Sequence, residues 1–326
     1  MLSIVMLLLL SFQTKDRTII VSKDGKGNFT NIQEAINFVN EDNSVRTKII
    51  VKAGIYREKI IVSSNKSPII LVGENPQNTI IVYNDFASKI NENGKNIGTT
   101  GSATFYIFSN DFSAKNITFQ NDAGKVGQAV AVLTTGDRIA FENCRFLGFQ
   151  DTLYLKGAQD MDDKSITSRN YFKNCYIEGT TDYIFGAGTA VFENCIIYSK
   201  KNASYITAAS TIEGKEFGFV FIKCKITGDA QTNSVYLGRP WRPFAKTVFI
   251  SCAIDSIIKK EGWHNWSKPD AEKTVFYAEY QSKGEGSKFS HRVNWSYQLT
   301  KKQSRIYNVK NILSGKDQWN YKKALK

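Results

Sequence analysis

The sequence predicts an all-β fold, a right-handed parallel β-helix (solenoid). A short N-terminal helical cap closes it, and long loops plus a C-terminal segment pack along the coil. Three observations lead there. First, a short motif recurs in one phase: FSAKNITF from Phe112, then FENCRF, FKNCYI, FENCII, FIKCKI and FISCAI. Second, its cysteines, at positions 144, 175, 195, 224 and 252, are spaced 31, 20, 29 and 28 residues apart. That is the period of a stacked repeat, whereas a β-sandwich would not repeat one motif in the same phase so often. Third, one amphipathic helical pattern precedes residue 100 and no second follows it there, which argues against alternating βαβ units. A single coil cannot bury its own apolar face, so the coils must stack and their Phe, Cys and Ile positions form ladders inside.

The elements follow in chain order. Met1 to Phe12 contains the apolar run Ile4 to Leu10, too short for the ~18 or more residues of a spanning helix. It suits the hydrophobic region of an export signal, so residues 1–16 are expected to be an export segment and 17–326 one domain. Thr18 to Ser22 reads as a first strand. Thr30 opens the helical pattern TNIQEAINFVN, with Ile32, Ala35, Ile36 and Val39 on one face and a Thr30–Gln33 capping box. The runs TKIIVKAG, EKIIVS, PIILVGE and NTIIVYN are β-branched and separated by turn residues, as strands are. After Cys252 the period fades into aromatic loops, and Gln298 to Lys326 is expected to hold a short helix and a basic end.

The chain carries 43 basic and 30 acidic side chains, a net charge of +13. Such a surface favours a polyanionic partner. The lysines are scattered and no arginine-rich arm occurs, which weakens a nucleic-acid reading. Five cysteines cannot all pair, and they read as small buried hydrophobes. No Cys-x-x-Cys pair or His–Cys cluster suggests zinc. The cluster Asp160, Asp162 and Asp163 reads as a solvated loop rather than a calcium site. His264 and His291, the two histidines of the chain, read as structural. No Gly-x-Ser-x-Gly elbow occurs, so a serine-hydrolase mechanism has no candidate nucleophile.

The chemistry converges on two aspartates. Asp151, in GFQDTLY, and Asp182, in GTTDYIFG, each lie seven residues after a repeat cysteine. Segments sharing a register on successive coils place such residues about 4.8 Å apart. Like charges at ~4 Å repel by roughly 4 kcal/mol at an effective dielectric of 20. One carboxyl is therefore driven towards its acid form while the other stays anionic, which separates a general acid from a nucleophile or base.

Five motifs now stand in order: GIYRE (Gly54 to Glu58), QAVAV (Gln128 to Val132), QDTLY (Gln150 to Tyr154), DYIFG (Asp182 to Gly186) and LGRPW (Leu237 to Trp241). Together they resemble the pectin methylesterase (pectinesterase) family over roughly Thr18 to Leu299. The resemblance implies a right-handed parallel β-helix that hydrolyses the methyl esters of galacturonate units in pectin, giving pectate and methanol without metal or organic cofactor. It makes Asp182 the nucleophile, Asp151 the general acid and later base, and Gln128 and Gln150 the oxyanion donors. Arg239 would keep Asp182 ionised and oriented, Trp241 would line the sugar site, and Phe185, Tyr154 and Thr100 would contact substrate. The expected partner is methyl-esterified pectin outside the cytoplasm, bound by a monomer, with no nucleic acid and no membrane span. Val132 and Tyr183 depart mildly from the family's usual Leu and Phe.

Two rival readings remain at this level. One is another pectin-active β-helix, a pectate lyase or a polygalacturonase, which would need a calcium cluster with a base, or several aspartates set for glycosidic cleavage. The other is a non-catalytic β-helix that binds acidic glycans.

Overall fold

The computed structural model describes residues 17–41, 45–66, 68–157 and 166–326. The expected export segment and the cluster Asp160, Asp162 and Asp163 lie outside the described residues. Each coil lays down three short strands in the same order. One coil runs through Ile139–Glu142, Arg145–Leu147 and Leu153–Leu155, and Arg169–Lys173 then returns in parallel beside the first of these. Repetition builds three sheets, of eleven, eight and seven strands among the described residues, each strand hydrogen-bonded in parallel to its equivalent one coil away. The fold is the expected right-handed parallel β-helix.

The repeat motif explains the coil. Phe141, Phe172, Phe192, Phe221 and Phe249 point inward and stack, successive ring centroids lying 5.0, 4.7, 4.5 and 4.5 Å apart. That distance is the spacing of neighbouring strands, so the ladder is a direct consequence of the register. Two residues on, Asn143, Asn174 and Asn194 each adopt a φ of 53°. This left-handed conformation is one that asparagine tolerates better than most residues, and it bends the chain from one sheet into the next. Lys223 and Ser251 take the same turn at 54° and 53°. The cysteine that follows then points inward, and all five cysteines are buried and unbridged. Phe112 is out of phase: Ala114 pairs with Phe141, so alanine occupies the ladder position in that coil. Phe112 instead packs, tilted, against Phe105 and Phe141.

The N-terminal helix forms over Ile32–Asn37, with Ile32, Ala35 and Ile36 buried against the first coils. Its expected capping box does not form. Asn31 occupies the cap position, but its side chain accepts no helix amide, and the Glu58 carboxylate accepts the amides of Ile32 and Gln33 at 3.1 and 3.0 Å. A carboxylate there also meets the positive end of the helix dipole. Gln33 is thereby released to grip Ile61, donating to its carbonyl at 3.1 Å and accepting from its amide at 2.7 Å. It thus stands in for a missing neighbour at that exposed strand edge. Within GIYRE, Gly54–Arg57 is itself a strand, paired with Thr79–Tyr83.

The C-terminal segment holds three short helices where one was expected: Lys301–Ser304, Val309–Leu313 and Tyr321–Ala324. It lies on the outer face of the eleven-stranded sheet, setting Val309, Ile312, Leu313, Trp319 and Leu325 against Ala140, Tyr171, Val191, Val220 and Val248. Arg169 fastens it, bonding Asp137 at 2.5 Å, Asp317 at 2.6 Å and the carbonyls of Leu313 and Ser314. Ser113 and Lys115 hold the carbonyls of Ala324 and Leu325 at 2.7 and 3.0 Å. Among the described residues no helix is long and apolar enough to cross a membrane.

Candidate active site

The outer face of the seven-stranded sheet carries the site. Alternation along its strands turns Leu153 and Ile184 inward and Tyr154 and Phe185 outward, in register with Leu133 on one side and Ala208 on the other. Tyr154 and Phe185 stack at 4.2 Å, and Trp241 closes over both, at 6.0 and 5.7 Å. These rings floor a cleft of about 530 Å³.

Asp151, just before the strand Leu153–Leu155, and Asp182, near the start of the adjacent strand Thr181–Gly186, sit at matching positions, related by the same offset that pairs Leu153 with Ile184. The Asp151 amide donates to the Thr181 carbonyl at 3.0 Å, so the coils remain paired up to the aspartates. Both residues have positive φ, 65° and 50°. Aspartate accepts this conformation more readily than most side chains. Both carboxylates line the cleft.

Their surroundings differ. Arg239 donates from Nε to Asp182 Oδ1 at 2.9 Å and from Nη2 to Oδ2 at 2.6 Å. Its guanidinium is held flat between the rings of Tyr205 and Trp266, 3.9 and 3.6 Å from their centroids. The Asp151 carboxyl has neither an ion pair nor a hydrogen bond among the described residues. Burial, and then the charge of Asp182, push its carboxyl well above the ordinary range, with Arg239 opposing weakly. Burial also pushes Asp182 up, against the two Arg239 bonds and the charges of Arg239 and Lys268. Arg239 thus limits the rise at Asp182 without reversing it. The order of ionisation still follows, with Asp182 losing its proton first because it alone has a cation fixed to both oxygens.

Gln128 and Gln150 pair across coils in a parallel bridge. Their side chains face the cleft, Gln150 immediately before Asp151. Thr100, in the short helix Gly98–Gly101, forms part of the opposite wall. All nine residues singled out from the sequence thus meet in one cleft. Four more lining or flanking residues were not anticipated: Trp266, Arg242, Tyr205 and Lys268. Trp266 lies in the aromatic stretch EGWHNWSKP, whose two tryptophans three residues apart were the available signal. No three His, Cys, Asp or Glu side chains gather to hold a metal among the described residues.

Comparison with known proteins decides the family, since the pectinesterase family model matches residues 18–316. The chain belongs to the pectinesterase family. Pectinesterase 31 of Arabidopsis thaliana is 42% identical over 289 residues, which cover 87% of this chain and 88% of that protein. Pectin methylesterase from carrot superposes with a TM-score of 0.83 at 33% identity, covering 94% of this chain and 96% of the other. A pectin methylesterase mutant in complex with a hexasaccharide superposes with a TM-score of 0.80 at 29% identity, over 94% and 98% of the two chains. This pectinesterase is accordingly a carboxylic ester hydrolase, a reading favoured over the lyase, polygalacturonase and non-catalytic ones.

Proposed function

We propose that Asp182 is the nucleophile with which this pectinesterase hydrolyses the methyl esters of galacturonate units in pectin. The observation that carries the assignment is the asymmetry of the pair: Arg239 binds both oxygens of Asp182, while the Asp151 carboxyl has no partner among the described residues. A carboxylate held by a fixed fork is oriented and charged; its unpaired neighbour keeps a proton to give away.

Asp182 attacks the ester carbonyl carbon, and the side-chain amides of Gln128 and Gln150 receive the oxyanion. As the intermediate collapses, the bond to methoxide breaks and Asp151 hands over its proton, so methanol leaves. The acyl-enzyme is a mixed anhydride between the Asp182 carboxyl and the galacturonate acyl group. Asp151, now ionised, takes a proton from water, and the resulting hydroxide attacks the same carbonyl. Asp182 departs as a carboxylate and Asp151 is again an acid, which closes the cycle. Tyr154, Phe185, Trp241 and Thr100 bound the sugar site. The net positive charge suits a polymer that gains a carboxylate at every turnover. The enzyme works as a monomer outside the cytoplasm, where a cell-wall polymer is met.

The test is methanol release by the pure protein from highly esterified pectin. Methanol without chain shortening or an unsaturated product supports the proposal. Binding of pectin with no methanol would overturn it.

A further inference from the structure

We propose that His264 is a positioning residue for the nucleophile, acting through the aromatic clamp on Arg239. The inference rests on the function proposed above for Asp182 and Arg239. It starts from a strained loop. Trp266 and Ser267 are consecutive non-glycine residues at φ 58° and 54°, a conformation that a bulky side chain adopts only when its surroundings enforce it. One enforcing contact is His264 Nδ1, which lies 3.2 Å from the Trp266 amide. A backbone N–H can only donate, so Nδ1 must be the unprotonated acceptor and the imidazole is neutral, with its proton on Nε2. Trp266 also packs against the apolar cluster of the cleft floor, with Arg239 stacked on it at 3.6 Å and the Lys268 ammonium 4.5 Å over its ring. Lys268 in turn donates to the carbonyl of Trp241 at 3.0 Å.

The imidazole also braces the second wall of the clamp. Its ring lies 5.7 Å from Tyr205 and 5.2 Å from Tyr236, and those two phenol rings stack at 5.3 Å. Tyr205 OH reaches Nδ1 at 3.4 Å. His264 therefore holds the backbone of Trp266 and packs against the ring of Tyr205, the two residues whose rings hold the guanidinium, and the guanidinium holds both oxygens of Asp182.

Protonation at Nδ1 would set an N–H against the Trp266 N–H and add a cation beside Arg239. The charged groups facing the ring are Arg239, from the segment after Tyr236–Gly238, and Lys259, whose ammonium lies 4.8 Å over Tyr236. The remaining titratable neighbours are the phenols of Tyr205 and Tyr236. Burial, then these two cations, hold His264 below its ordinary value. The ring thus stays neutral at neutral pH, and the clamp loosens as pH falls through the lowered value.

The experiment compares pH profiles of kcat and KM for methanol release with the NMR titration of the imidazole, which is simple to assign because the chain has two histidines. His264→Asn keeps an acceptor at the Nδ1 position but cannot titrate, so its acid limb should move to lower pH while kcat on the plateau is retained. His264→Phe keeps a ring without the acceptor, and kcat should fall about tenfold on the plateau with KM within about twofold. An unchanged acid limb in His264→Asn, or wild-type kcat in His264→Phe, would overturn the proposal. Should the Phe variant not fold, the wild-type protein still decides. Titration of His264 must shift the Trp266 signals and coincide with the acid limb; silence at Trp266 refutes the inference. Because that NMR readout needs no turnover, its failure is distinct from a failure to release methanol.

Discussion

Arg239 grips both oxygens of Asp182, whereas Asp151, at the equivalent point of the preceding coil, is gripped by nothing among the described residues. A β-helix supplies such pairs readily, because one register brings like residues together along a face. What distinguishes these two is the single cation that arrives from two coils further on.

Asp182→Asn should abolish turnover, by about 10⁴-fold or more in kcat, with the fold intact by circular dichroism. Arg239→Lys retains a positive charge but loses the fork and its stacking between two rings. We expect kcat to fall by about 10²-fold with little change in KM. Wild-type rates in either variant would overturn the nucleophile assignment.

Gln128→Ala and Gln150→Ala each remove one donor aimed at the developing oxyanion. Each should lower kcat by about 10²–10³ while KM changes little. A variant affected in KM alone would instead place that amide on the substrate's ground state.

The raised carboxyls also make a stability prediction. A buried acid whose folded-state pKa lies above its unfolded value stabilises the fold below the unfolded pKa, and that stability is lost as pH rises through the folded value. Asp151→Asn removes the ionisation, so its melting temperature should exceed that of the wild type by about 2–4 °C at pH 8. The gain should vanish near pH 4, where Asp151 is protonated in the folded protein. Melting curves at the two pH values check this.

Arg292 tests how the cleft loop is held. It forms a bidentate pair with Glu279 at 2.7 and 3.1 Å and donates to the carbonyls of Lys259, Lys260 and Gly286. The two side chains are 1% and 3% exposed, so removing one strands the other's charge in the interior. Arg292→Met should cost about 3–5 kcal/mol by denaturant unfolding, and adding Glu279→Gln should recover part of it.

The coil itself was legible because its determinants are local: an inward Phe, an Asn that tolerates a left-handed turn and an inward Cys, repeated at short range. The aspartates were legible for the same reason, since their phase relative to Cys144 and Cys175 sets where they fall. Trp266 and Tyr205 were not, because they meet Arg239 only after three separate segments have stacked. Glu58 escaped notice as the cap of Ile32–Asn37 because it lies more than twenty residues beyond the helix, just after the strand Gly54–Arg57, while Thr30 and Gln33 offered a plausible local alternative. Phe112 misled because FSAKNITF shares Asn116 with the repeat but carries its first Phe two residues early.

The strap formed by residues 299–326 alters how such a stack should come apart. A plain solenoid resembles a row of dominoes, in which end coils can fray without disturbing the middle. Here Ser113 and Arg169 from early and central coils, and Val220 and Val248 from later ones, all seize the same returning segment. Coils distant along the axis thereby share one fate, so heat should melt the protein in a single cooperative step, and trimming the strap should let the two ends unravel independently.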